Sequence, residues 1–269
     1  MLEILKFLDG NMETPVAYSP FATSWFHWLS LIVLAITTVW FISYFKRANE
    51  KQIKKVILIS GIIMVLFEIY KQVIFNYSET EYQWYAFPFQ FCSTPMYLYL
   101  ILGLSKSRKL DQFLIAYLAT YATFAGYAVM LYPSTVFVPT IGINIQTMVH
   151  HGLIAVIGIA LLVKYNFDLK MFFKGSVVFV TLSAIAYIMN TVFYAIEPNV
   201  TFNMFFISPV YGTEIPVLAQ IYPLVPHVVF LIVYVLGFTF VASLVYGGAK
   251  LIRLINAKLV YKQQLAYQN

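Results

Sequence analysis

The chain has 269 residues, 61% of them hydrophobic and only 10% charged, with a net charge of +6 and a mean hydropathy of +0.78. These proportions exclude an ordinary soluble domain, and the length allows one membrane bundle without a second sizeable domain. The positive charge does not imply a nucleic-acid partner, because it sits in short gaps between apolar runs, where cations face anionic headgroups.

Residues 1–21 read as an extracellular segment. Met1 to Asp9 carry acidic groups and lack the basic start and small-residue cleavage site of a signal peptide. Leu2, Ile4, Leu5 and Leu8 can form a short interfacial helix; a frayed end is the equal alternative. Seven apolar runs follow, at 22–45, 56–77, 86–104, 110–132, 144–163, 172–195 and 224–247. Each has about the 20 residues needed to cross roughly 30 Å of hydrocarbon at 1.5 Å per residue. Helices are required, since backbone polar groups in lipid must be satisfied internally. Trp25, Trp28, Trp40 and Trp84 fall near run ends, as an aromatic belt does.

The gaps between runs alternate in charge. Lys46, Arg47, Lys51, Lys54 and Lys55 occupy the first, Lys106, Arg108 and Lys109 the third, Lys164, Lys170 and Lys174 the fifth. Lys250, Arg253, Lys258 and Lys262 follow the last run, so 15 of 17 basic residues lie on one side, with Lys6 and Lys71 the exceptions. The positive-inside rule makes that side cytoplasmic. The expected fold is all-α: a polytopic membrane protein with seven transmembrane helices over 22–247, N-terminus outside, C-terminus inside, and a basic cytoplasmic tail at 248–269. The last outer gap, 196–223, carries Pro198, Pro209, Pro216 and Pro223 among many aromatic and branched residues. It is too apolar for a solvated loop and is expected to fold back on the bundle mouth or dip into the outer leaflet, as a functional loop or a structural cap.

Polar residues inside spans default to functional candidates because lipid makes them costly. The second run carries Glu68, Lys71 and Gln72; the third Gln90, Cys92, Ser93 and Thr94; the fifth Gln146, Thr147, His150 and His151; the sixth Asn190 and Thr191; the seventh starts with His227. Helical rise places Cys92 roughly 9 Å and His151 roughly 10 Å below the outer edge. The polar groups share the outer half of the membrane, which argues for one outward-facing cavity. Each residue also has a plainer reading. Glu68 and Lys71, three apart, can be a structural ion pair. Asn190 can be an interhelical tie. His227 can be an ordinary interfacial residue, and Cys92, the only cysteine, a small buried apolar group.

Cys and His at equal depth suggest nucleophilic catalysis: the imidazole takes the thiol proton and the sulfur attacks an ester carbonyl. Glu68 can orient the imidazole, and Gln90 or Asn190 can donate to the oxyanion. Ser93 and Thr94 are alternative nucleophiles. His150 and His151 lie about 100° apart on a helix, so only one faces a given partner. Metal binding is not indicated, because these neighbours lack the i, i+4 spacing of a chelating pair and there is no HExxH or CxxC. No cofactor is implied.

Short motifs add a resemblance. Pro88-Phe89-Gln90-Phe91-Cys92-Ser93 resembles the Pro-Leu-His-Leu-Cys-Ser motif of the YwaF-type bacterial integral membrane family. His151-Gly152-Leu153 is similar to its His-Gly-Leu motif, and Asn190 followed by Phe202-Asn203-Met204-Phe205-Phe206 to its Asn and Asn-Tyr-Met-Phe-Leu. That family is related to an animal transmembrane protein implicated in Cys-dependent acyl transfer between phospholipids, and distantly to the androgen-induced membrane hydrolases. The resemblance implies Cys92 as nucleophile and His151, rather than His150, as base. Around them, the residues at shared depth, Glu68, Lys71, Gln90, Gln146, His150 and Asn190, and Asn203 of the last motif are expected to form a supporting polar cavity. Gln90 stands where the motif has His. The resulting expectation is a lipid acyltransferase or esterase in a bacterial plasma membrane, with phospholipid as partner. The rival is a small-solute binding protein or transporter using the same cavity, and a third reading is a membrane scaffold. Protein partners are left open.

Overall fold

The computed structural model describes residues 3–4, 9–77, 81–133 and 136–266. Helices form at all seven apolar runs: α1 (Phe21–Arg47), α2 (Glu50–Asn76), α3 (Thr94–Leu104), α4 (Arg108–Leu131), α5 (Ile141–Lys164), α6 (Leu169–Ile196) and α7 (His227–Ala266). Among the described residues, six of these are long and apolar enough to cross a membrane. The third is not. The expected helix over 86–104 shrinks to 11 residues, about 16 Å long. The chain before it is irregular, with one 3-10 turn at Trp84–Ala86. Two prolines explain this. Pro95 sits in the first turn of α3, where its missing N–H does no harm, but its ring bars helical continuation towards residue 91. Pro88 restricts the residue before it in the same way.

Side-chain caps set several helix starts. Asn49 accepts from the Gln52 N–H while the Gln52 side chain accepts from the Asn49 N–H, and Asp168 accepts from the Met171 N–H. α7 runs on to Ala266, so residues 248–266 continue the last helix instead of forming a separate tail. Leu2, Leu5 and Leu8 of the expected interfacial helix lie outside the described residues, and Ile4 is exposed.

α4 and α5 form the centre: 72% of the apolar window of each is buried, against 17% for α1 and α7. α1 packs on α5, α2 on α3 and α5, and α6 and α7 on α4. Small residues permit the closest approaches. Gly126 faces the α5 backbone at His151 and Ala155, and Gly175 of α6 faces the α4 backbone at Ala116 and Tyr117. The outward faces of α1, α2, α6 and α7 expose rows such as Ile32, Ile36, Leu66 and Ile188, an apolar exterior that suits lipid.

The two ends of the bundle differ. At one end the alternate basic gaps converge. Lys54 pairs with Asp111 at 2.6 Å, Lys164 donates to the Ala48 carbonyl, and the Arg253 guanidinium donates to the carbonyls of Leu162 and Tyr165. Cations thus close helix C-terminal carbonyls as well as facing headgroups. We call this the basic end. At the other end three segments form a cap. Residues 9–12 bridge to 139–141 through Met12 N–H to Pro139 and Ile141 N–H to Gly10. The 84–93 segment is the second. The third is 196–223, which folds back over the mouth as expected and buries Phe202, Met204, Phe205 and Ile207.

Candidate catalytic site at a broken helix

Cys92 lies in the turn over residues 91–93, not within a helix, and is partly exposed. The depth inferred from helical rise therefore does not apply to it. Its level is set instead by a contact: the Cys92 carbonyl accepts from His150 Nε2 at 2.9 Å. His150 is nine residues from the start of α5, about 14 Å along it. The turn is closed by the N–H groups of Ser93 and Thr94 on the Gln90 carbonyl. The Thr94 hydroxyl bonds the Phe91 carbonyl and the Tyr117 hydroxyl, both at 3.0 Å, and Tyr97 donates to the Pro88 carbonyl. These bonds hold the thiol-bearing turn at the N-terminus of α3, a pole of partial positive charge.

The histidine tautomers follow from their partners. A carbonyl only accepts, so His150 carries its proton on Nε2, and His151, which bonds the Thr147 carbonyl at 2.8 Å, carries it on Nδ1. That leaves a lone pair on His150 Nδ1 and another on His151 Nε2. Both atoms are buried and have no hydrogen-bond partner among the described residues. The two rings lie 5.3 Å apart. Lys71 is within electrostatic reach of both rings and of Cys92.

Glu68 binds Lys71 at 2.8 Å and the Gln72 side chain at 2.7 Å. Gln72 also donates to the Ala86 carbonyl, and Tyr82 donates to Gln72, so the ion pair doubles as a brace between α2 and the irregular segment. Glu68 makes no bond to either imidazole among the described residues and does not orient them. Gln146 is buried beside Thr147 and contacts its hydroxyl at 3.4 Å.

Three of the expected cavity residues instead hold the cap. Gln90 donates to the Asn203 carbonyl and accepts from the Phe205 N–H. Asn190 donates to the Met204 carbonyl and accepts from its N–H, at 2.9 and 2.7 Å. Asn203 accepts from the Ser208 N–H and donates to the Gly212 carbonyl. Gln90 and Asn190 are therefore engaged with the cap, each through its oxygen and one N–H of its amide. Their grip holds Phe205 and Phe206 at φ of 59° and 56°, a left-handed conformation costly for bulky residues. The Cys92 N–H makes no hydrogen bond to another backbone group among the described residues.

Beside this cluster a cleft of about 610 Å³ runs between α2 and the segment around α3. Glu68, Gln72 and Tyr82 line its polar wall; Ile69 and Val73, both exposed on the flank of α2, line its apolar rim. His227 lies apart from the cluster, stacked on Tyr187.

His27 and Ser24 were not singled out from the sequence. Both are fully buried on α1; His27 Nε2 donates to the Met130 carbonyl at 3.2 Å, while its Nδ1 and the Ser24 hydroxyl have no partner among the described residues. The rule applied to the other spans, that an ionisable residue inside an apolar run is notable, covers His27 too.

Residues 21–247 match a family model described as the TMEM164 family. The chain belongs to the TMEM164 family. The match covers α1 to the middle of α7, including Cys92, both histidines and the cap, and agrees with a multi-pass membrane protein. No curated protein and no solved structure matches the chain. In this TMEM164-family chain no group of three or more His, Cys, Asp or Glu side chains suited to a metal ion occurs among the described residues.

Proposed function

We propose that this TMEM164-family chain transfers or hydrolyses acyl groups of a membrane lipid, with Cys92 as nucleophile and His151 as base. The observation that carries the reading is the broken helix. It sets Cys92, a half-buried residue, at a helix N-terminus, level with two histidines whose tautomers leave lone pairs unpartnered among the described residues.

Low polarity around the cluster disfavours a resting thiolate–imidazolium pair, so proton transfer accompanies attack. His151 Nε2 takes the thiol proton as sulfur bonds the ester carbonyl carbon. The C–O bond then breaks, and the same proton passes to the leaving alkoxide, giving a thioester and a lysolipid. A lysolipid hydroxyl or water attacks the thioester next, its proton going to His151 and then to the departing sulfur. The Cys92 N–H, the α3 N-terminus and Lys71 supply positive potential for the oxyanion. His150 positions the turn through the Cys92 carbonyl.

The surroundings of the cluster suit lipid, although Cys92, His150 and His151 do not themselves line the cleft. The cap buries Phe202, Met204 and Phe205 across the mouth, whereas the cleft beside Glu68 opens on the apolar flank of α2. The bacterial plasma membrane as location rests on 14 Lys against 3 Arg and on the motif resemblance.

The test is acyl transfer in nanodiscs from a diacyl phospholipid with a labelled acyl chain to a lysophospholipid. Cys92→Ala abolishes turnover and removes a hydroxylamine-sensitive acyl label on the protein. His151→Ala lowers kcat by about 10²–10⁴. Full activity in Cys92→Ala rejects the reading; activity lost in His150→Ala but kept in His151→Ala moves the base to His150.

A further inference from the structure

Four cations of the basic end hold protein partners. Lys54 holds Asp111 and the Ser105 carbonyl, Lys164 holds the α1 terminus, Lys174 bonds Gln112 and Arg253 holds the α5 terminus. Arg47 is different. It is exposed at the C-terminus of α1 and makes no hydrogen bond or ion pair among the described residues. It lines a cleft of about 400 Å³ with Trp40, Ser43 and Tyr44 of α1 and with Ala48 and Gln52 at the α1–α2 turn.

The polar groups of this cleft are donors. The Gln52 side-chain oxygen is occupied by the Asn49 N–H, which fixes the amide and leaves its NH₂ as the free edge. The Ser43 hydroxyl has no protein partner among the described residues and is free to donate. Glu50, in the first turn of α2, accepts the Tyr165 hydroxyl, and no carboxylate lines the cleft among the described residues. That leaves the Arg47 fork, an amide NH₂ and a hydroxyl around one concavity, a set that fits phosphate oxygens. Trp40 and Tyr44 stack at 5.6 Å with planes 10° apart, forming a flat panel on the membrane side of Arg47. Interfacial aromatic rings lie at the depth of glycerol and the first methylenes. Phosphate donors above an aromatic panel describe a lipid held at its headgroup.

We propose that the Trp40–Arg47–Gln52 cleft binds the phosphate of an anionic phospholipid in the leaflet at the basic end. The site is independent of the acyl-transfer reading: it lies at the far end from Cys92 and holds a lipid without reacting with it. The excess of cations around it, Lys46, Lys51 and Lys55, favours a net-negative headgroup over a zwitterionic one.

The experiment uses the full chain in phosphatidylcholine nanodiscs and the fluorescence of Trp40, isolated by difference against Trp40→Phe. Phosphatidylglycerol brominated on its acyl chains is compared with equally brominated phosphatidylcholine at the same mole fraction. The expected result is stronger quenching by phosphatidylglycerol, with the preference lowered roughly fivefold in Arg47→Gln, the factor for one interfacial cation. Lys109→Gln, an exposed cation elsewhere at this end, keeps the preference, and inorganic phosphate does not compete. Arg47 is exposed and has no partner among the described residues, so its loss leaves folding intact. Native mass spectrometry of the same variants counts bound phosphatidylglycerol as a second readout. Equal quenching by the two lipids, or equal loss in Lys109→Gln and Arg47→Gln, overturns the proposal in favour of general surface charge. Competition by inorganic phosphate overturns the lipid as the source of the anion.

Discussion

Asn190 holds both polar groups of the Met204 peptide, in a place where neither has access to water. Truncating it leaves a buried N–H and a buried C=O unpaired, each worth about 1–3 kcal/mol. Asn190→Ala is therefore expected to destabilise the protein by roughly 2–3 kcal/mol, read as a lower Tm in detergent. The segment 196–223 should become sensitive to protease before the bundle unfolds. Asn190→Asp tests the geometry: a carboxylate still accepts from the Met204 N–H but repels its carbonyl, so it should fail nearly as badly. A role confined to chemistry would leave Tm unchanged in both variants. The sequence marked Asn190 and Gln90 as notable, because an amide in an apolar run must find a partner, and Asn203 through its motif. It did not say which partner. Residues 14 and about 113 positions away meet only after the 196–223 segment has folded back, and that contact has no local signature. The same limit applies to Cys92 and His150, which the sequence brought near each other in depth but whose bond is to the backbone, not the thiol.

At the scale of elements, six of the seven helices were legible from hydropathy and length, because lipid leaves a crossing backbone few alternatives. The seventh was misread although its signal was present. Pro88 and Pro95 bracket the irregular turn, and a proline seven residues before another within one apolar run marks a helix that starts late. Apolarity alone does not distinguish a crossing helix from irregular chain buried in a bundle. The close helix contacts were also hidden. α4 contains a π-helical turn at Leu118–Ala122, and the Thr123 hydroxyl bonds the freed Leu118 carbonyl at 3.0 Å. Gly158 of α5 packs on that turn; a methyl group there would lie 2.0 Å from the Thr123 hydroxyl oxygen and 2.8 Å from the Leu118 carbonyl. Gly158→Ala should force α4 and α5 apart and cost about 1–3 kcal/mol, as overpacking does. Gly237→Ala on α7, with nothing within 4 Å of the added carbon, should be neutral or slightly stabilising. Thermal unfolding of the two variants side by side checks this. Equal Tm values would mean that the π turn relaxes to admit the methyl group.

The whole molecule has a polarity that its composition foreshadows. The alternate basic gaps meet at one end, and the segments carrying few cations close the other. Cations at the basic end also cap the C-termini of α1, α3 and α5, so helix electrostatics and membrane sidedness favour the same arrangement. The positive-inside rule then predicts that the basic end faces the cytoplasm and the cap faces outward. Two exposed positions report on this in a Cys92→Ser background: Glu214→Cys in the cap and Lys55→Cys at the start of α2. A membrane-impermeant thiol reagent applied to intact cells should label the first alone, and both after permeabilisation. Labelling of Lys55→Cys alone would invert the molecule and move the Cys92 cluster to the cytoplasmic leaflet. The acyl chemistry would survive that inversion, but its substrates would then come from the inner leaflet. The Arg47 cleft would instead face an outer leaflet, where its anionic preference would have to be met by different lipids.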